Sequence, residues 1–178
     1  MAITEPLGLK HRQVLVVPYD ARWPDLFDAA AAELVEAVGS SIVATHHVGS
    51  TSVPGLCAKP VIDILVSVAD FAAAADLVPD IESIGYEFRP LEDIPDRHFF
   101  HRRLGTVRTH HLSLAEPISR HHTVTLAFRD ALRRDPQFAA SYAELKIALA
   151  RRFPQDRPAY IDGKAQFIGD ALARAGIA

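Results

Sequence analysis

The run from His46 to Val68, HHVGSTSVPGLCAKPVIDILVSV, narrows the fold more than any other part of the chain. It reads as a strand, a Gly-Ser-Thr-Ser turn, a Val-Pro-Gly turn, a Lys-Pro lead-in and a second strand that carries one carboxylate, Asp63. A carboxylate inside an apolar strand is costly to bury unless it is paired or binds a metal. The adjoining turn of small residues offers backbone N–H groups and hydroxyls that suit phosphate oxygens. Together the two features predict a site for a metal and nucleotide phosphates.

The flanking sequence supplies a sheet and its helical cover. Val14–Val17 reads as a short strand. A helix then starts near Pro24, where a missing N–H is harmless. It carries Phe27, Ala30, Ala31, Leu34 and Val38 at helical spacing and closes at Gly39. Ile42–Val48 and Val61–Val68 are the two strands of the motif. Asp70 caps a helical region over Phe71–Ile84, interrupted at Pro79. A strand follows from Gly85, a loop spans Pro90–Pro95, and Arg97–Arg102 pairs with His110–Ala115 in a hairpin around Gly105. His121-His122 starts a helix that runs to Arg134 before Asp135-Pro136. Apolar stripes then predict two more helices, one through Phe138, Tyr142, Leu145 and Leu149, the other through Tyr160, Lys164, Phe167, Ile168 and Leu172. No repeat or linker divides the 178 residues, so one domain is expected, with its core over about 14–170. The fold class is α/β or α+β, a mixed β-sheet packed on one face by helices, with a helical C-terminal third.

Strand alternation selects the chemical face. Ile62, Ile64 and Val66 share one side of their strand, and Asp63 lies on the other. Leu112 and Leu114 oppose His111 and Ser113 in the same way. With helices over the Ile/Leu side, the other side gathers Asp63, His111 and Ser113. The paired histidines, His46-His47, His110-His111 and His121-His122, do not favour zinc. Neighbours in a strand point to opposite faces, and zinc wants three or four ligands in a tight shell. A serine-hydrolase reading lacks its elbow, because Ser50-Thr51-Ser52 runs into Pro54-Gly55 and opens no helix. Arg97, Arg102, Arg103 and Arg108 fall between Arg97 and His111 with no acid among them, which suits an anionic ligand.

Composition bounds the partner. A net charge of −3 argues against wholesale nucleic-acid coating. A single cysteine, Cys57, excludes an internal disulfide and fits a reducing cytoplasm. No apolar run approaches a membrane span, and MAITEPLGLKHRQ lacks the apolar region of a signal peptide. The expectation is a cytoplasmic protein acting on a small phosphorylated molecule, with its oligomeric state open. Arginine outnumbers lysine fifteen to four. A compact ammonium is not replaced by a guanidinium, so Lys59 and Lys164 are candidates for specific roles.

The stretch His47-Val48-Gly49-Ser50-Thr51-Ser52-Val53-Pro54-Gly55-Leu56, with Ala58-Lys59-Pro60 and Ile62-Asp63-Ile64, resembles the signature of the GrpB-like family. The resemblance continues through Gly85-Tyr86, Arg97 with Phe99-Phe100, Thr109-His110-His111-Leu112, Phe128-Arg129-Asp130, Tyr142 with Leu145-Lys146, and Tyr160 with Lys164 and Phe167-Ile168. It implies a nucleotidyltransferase fold, in which Gly49 and Ser50 take the triphosphate and Asp63 is the first metal-binding acid. Magnesium, or manganese, is the implied cofactor. The second acid of that pattern falls at Leu65, and a second histidine of the hairpin strand falls at Ser113, so the chain departs from the oxygen-ligand set of a two-metal centre. On this reading Asp63 and His111 hold metal, with His111 alternatively a proton acceptor, and Arg97 neutralises developing charge. Ser50, Thr51, Ser52, Lys59 and Lys164 hold phosphates, and His47 supports the turn. A non-catalytic binder of nucleotide or phosphorylated metabolite and a metal-dependent hydrolase remain the alternatives.

Overall fold

The computed structural model describes residues 6–10, 12–90, 94–174, 176 and 177. Five strands form one mixed sheet: β1 (Ile42–Val48), β2 (Ile62–Val68), β3 (Tyr86–Phe88), β4 (His98–Leu104) and β5 (Val107–Ala115). Their spatial order is β1-β2-β5-β4-β3. Only β2 and β5 run parallel; the other neighbours are antiparallel. The registers place Val48, Asp63, His111, His101 and Glu87 in one row across all five strands.

One sheet face is the main core. Ile62, Ile64, Val66, Val68, Phe100, Leu112 and Leu114 pack there against α1 (Trp23–Val38) and α2 (Val78–Ser83). In α1 the buried residues are Trp23, Ala30, Ala31, Leu34 and Val38, the predicted stripe with Trp23 added and Phe27 left half-buried. Leu34 is fully buried, so its truncation to Ala costs about 2–5 kcal/mol. Asp70 accepts from the N–H groups of Ala72 and Ala73, as a cap should. The helical region behind it is a 3-10 turn, Ala73–Leu77, followed by α2 with Pro79 in its first turn.

Three expectations change. The run 14–17 forms no continuous strand; only Val17 bridges, to Ala58, while Val14 donates its N–H to the Pro154 carbonyl. The helices also cover more than one face. α3 (Arg120–Arg134) lies against the second face, where Leu126 packs on Val48, Leu65 and Ala115. The last predicted stripe is two helices, α5 (Arg157–Asp162) and α6 (Ala165–Arg174), which follow α4 (Pro136–Arg152). Gly163 sits so close to Leu149 of α4 that a Cβ there would lie 2.5 Å from its Cδ2. The chain turns at this contact, and Lys164 falls in the turn and not on a helix face. Of the predicted Pro90–Pro95 loop, 91–93 lie outside the described residues.

Candidate functional site

The loop between β1 and β2 is shaped by Gly49. Its φ of 69° and ψ of −174° belong to a region that is essentially glycine-only. Asp63 approaches from the adjacent strand so closely that a Cβ on Gly49 would lie 2.4 Å from Asp63 Oδ2. Ser50–Ser52 then form one 3-10 turn. Within it the Ser52 hydroxyl donates to the Gly49 carbonyl at 2.6 Å, and Thr51 Oγ1 bonds His47 Nε2 at 3.0 Å. Both residues are buried. Their hydroxyls therefore hold the turn's shape, leaving Gly49 as the turn residue lining the cleft and Ser50 beside the Tyr142 hydroxyl. His47 supports the turn from the opposite face, its ring stacked on Phe27 at 4.7 Å. Burial pushes His47 down to about 4, so it is neutral. Arg133 of α3 clamps the turn from outside through two bonds to the Ser52 carbonyl, at 3.0 and 2.7 Å.

The parallel pairing of β2 with β5 brings Asp63 level with His111, and His111 Nδ1 meets Asp63 Oδ1 at 2.8 Å. Burial by itself would raise the Asp63 pKa. The His111 hydrogen bond, and the charges of Lys59 and Lys164, hold it below the usual carboxylate range. Burial also lowers His111, against the pull of Asp63. A neutral imidazole donating from Nδ1 to an ionised Asp63 satisfies both directions, and it leaves Nε2 as a basic lone pair. That atom is buried without a partner.

A cleft of about 810 Å³ opens over this pair. Gly49, Asp63, Arg97, Phe99, His111 and Arg157 are among its lining residues. Arg97 sits just ahead of β4 with its guanidinium 4.8 Å from the Phe99 ring centre. Arg102, of the same basic segment, turns to the other face and pairs with Glu33 of α1. Among the described residues, four buried side-chain polar atoms lack a partner. Three of them, Arg97 Nε, Arg108 Nε and His111 Nε2, belong to cleft-lining residues.

Lys59 and Lys164 converge from opposite ends of the chain on the Tyr160 ring, at 5.7 and 4.7 Å from its centre. Burial and the neighbouring Lys164 charge push Lys59 down to about 8. Burial likewise lowers Lys164, while Asp63 pulls it back up. Lys146, 2% exposed, lies over Tyr142 at 4.8 Å and donates to the Cys57 carbonyl, tying down the loop that carries Lys59. The sequence reading missed Lys146, Tyr142, Tyr160 and Arg157 as site residues. The scarcity of lysine was the available signal for Lys146. The tyrosines read as part of apolar helix stripes, and nothing in the sequence singled out Arg157.

Among the described residues, no three His, Cys, Asp or Glu side chains cluster suitably for a metal ion. Of the described residues that line the cleft Asp63 is the carboxylate, one of its oxygens is bonded to His111, and the charges acting on it are cationic. Leu65, at the position of a second acid, is fully buried. His46 and His122 meet elsewhere, both through Nε2 on the buried Ser67 hydroxyl at 3.0 and 2.8 Å.

Comparison with known proteins agrees with this architecture. The chain is 40% identical over 166 residues to a UPF0157 protein of Pseudomonas aeruginosa, covering 92% of this chain and 68% of that protein. It is 37% identical over 164 residues to the UPF0157 protein YqkA of Bacillus subtilis, covering 90% of this chain but 46% of YqkA. The crystal structure of GrpB from Enterococcus faecalis superposes with a TM-score of 0.83 at 32% identity, over 90% of this chain and 96% of that one. The model of the family described as GrpB protein matches residues 13–174. The chain belongs to the GrpB family.

Proposed function

We propose that the protein binds a nucleoside triphosphate or a related phosphorylated small molecule in the Asp63–His111 cleft and transfers its nucleotidyl group. One observation carries this reading: Lys59, Lys164, Arg97 and Arg157 gather around Asp63 beside a glycine turn, with Asp96 the other described acid near Arg97. Cations in such excess over acid favour a polyanion. The Gly49 backbone and Ser50 receive phosphate oxygens at one side, and Lys59 and Lys164 neutralise them. In the transfer, an acceptor oxygen bonds to the α-phosphorus as the bond to pyrophosphate breaks, and the acceptor's proton passes to the Asp63–His111 pair. Arg97 offsets charge developing on the phosphoryl oxygens. Magnesium or manganese enters this reading only with the ligand. Asp63 would supply a protein oxygen and the phosphates the rest, and the ion would neutralise phosphate charge.

A second reading, binding without catalysis, is favoured by Leu65. Its side chain is locked among Val48, Ala115 and Leu126, where neither a carboxylate nor a metal fits. Thermal shift with each nucleoside triphosphate, with and without magnesium, tests both readings. A ligand at a hundredfold excess over its Kd adds about 2.7 kcal/mol, or roughly 5–10 °C for a domain of this size. Asp63→Asn is expected to keep the fold and lose any magnesium dependence of the shift. No stabilisation by any nucleoside triphosphate, nor by nucleoside diphosphates, sugar phosphates or pyrophosphate tested beside them, refutes both readings. Pyrophosphate release with a candidate acceptor occurs only under the first.

A further inference from the structure

The cleft extends past Asp63 to a second group of cations that the transfer described above does not use. Arg89, Arg103 and Arg108 line its far end, on β4, β5 and the residue after β3. Arg103 on β4 lies two strands from β2, roughly 10 Å across the sheet at about 4.8 Å per strand, and Arg108 lies on β5, the strand between. Glu87 pairs with Arg89 there. Arg103 donates from Nε to His101 Nε2 at 3.0 Å, and Glu87 Oε2 lies 3.0 Å from the same imidazole nitrogen, so one carboxylate offsets part of the charge of three guanidinia. His101 is 2% exposed, and burial pushes it down to about 4, so it accepts as a neutral ring. Arg108 stands in the fields of Arg157, Arg103 and Arg89, and its Nε is buried without a partner. Arg89 and Arg103 are exposed and Arg108 is half-buried, so three guanidinia stand close together with a buried, unpartnered Nε among them, an arrangement that suits bidentate contact with a carboxylate or phosphate.

We propose that this end of the cleft is a second anion subsite, which binds the carboxylate or phosphate of a small-molecule acceptor while the Gly49 turn holds the nucleotide. The inference rests on the nucleotide reading above and adds the acceptor's chemical class. A substrate with an anionic group about two strand spacings from its attacking oxygen spans both subsites.

Calorimetry on the full chain tests it in two steps. The protein is first titrated with ATP and magnesium, and the saturated complex is then titrated with inorganic phosphate or with malonate. Binding of either anion to the ATP complex is expected, and which one binds tells phosphate from carboxylate. Arg103→Met and Arg108→Met are each expected to weaken that anion about tenfold, the ratio for one lost charge-assisted hydrogen bond. The ATP affinity of Arg103→Met is expected to stay within about twofold of the unmutated protein, well under that tenfold loss. Arg103 is exposed, so this variant carries the test if Arg108→Met does not fold. ATP binding with no anion binding overturns the subsite and leaves the nucleotide reading standing. Loss of ATP affinity in Arg103→Met overturns it too, because the arginines then belong to the nucleotide. Absence of ATP binding in the unmutated protein removes both. A single-stranded oligonucleotide that binds with the same arginine dependence and displaces the small anion also overturns it.

Discussion

Gly49→Ala probes the closest approach in the site, and its cost can be worked from two independent parts. The backbone at φ 69° and ψ −174° is one that alanine enters at about 1–3 kcal/mol. The new methyl would lie 2.4 Å from Asp63 Oδ2 and 3.1 Å from Asp63 Cβ and Cγ, so the carboxylate must move. Its 2.8 Å bond to His111 is then lost, at about 1.5–3 kcal/mol for a hydrogen bond to a charged group. The sum is about 2.5–6 kcal/mol, a drop of roughly 5–24 °C in Tm for a domain of this length. The assay is a double-mutant cycle with Asp63→Ala, followed by thermal and denaturant unfolding. In the Asp63→Ala background the carboxylate is gone, and Gly49→Ala should cost only the backbone part. A coupling of about 2 kcal/mol is therefore expected between sites 49 and 63. Additivity within about 0.5 kcal/mol would refute the contact. A single Gly49→Ala variant as stable as the parent would refute the backbone argument as well.

Two further outcomes follow from buried histidines. His47 and His110 are both buried and pushed down to about 4, while an unfolded histidine titrates near 6.5. Below 6.5 the unfolded chain binds protons that the native one does not, so stability falls as pH drops from 6.5 toward 4 and levels off below that. Each contributes up to roughly 3 kcal/mol over this window. Denaturant midpoints from pH 7.5 to 4 measure the loss, and His47→Gln should flatten the curve; a flat parent curve contradicts the assignment. Ser67→Ala leaves the buried His122 and the half-buried His46 without their shared hydroxyl and should cost about 1–3 kcal/mol in chemical unfolding. Hydrogen exchange would show the loss concentrated where α3 meets β1 and β2, and a uniform change would exclude that junction as its origin.

Much of this fold was legible because its cues are local. The stripe Phe27–Val38 between Pro24 and Gly39 specifies α1. Alternation in Ile62–Val68 and His111–Ala115 separates the core side of the sheet from the side bearing Asp63 and His111. The turn at Gly49-Ser50 announces itself through residue size. The stripe through Tyr160, Lys164 and Phe167 misled, because helical spacing continues across a turn that only the contact of Gly163 with Leu149 imposes. Val14–Val17 has strand composition, but a strand also needs a neighbour, and composition cannot provide one.

Sequence alone determined which side chains could share a face, since that follows from a period of two residues along each strand. Tertiary structure decided which of them meet. The parallel register of β2 on β5 brings together residues 48 positions apart and sets Asp63 beside His111. The C-terminal helices bring Lys164 and Arg157 near the same carboxylate from a hundred residues downstream. Those encounters depend on how a folded sheet and its helices close on one another, a long-range balance of packing and charge that no local spacing encodes.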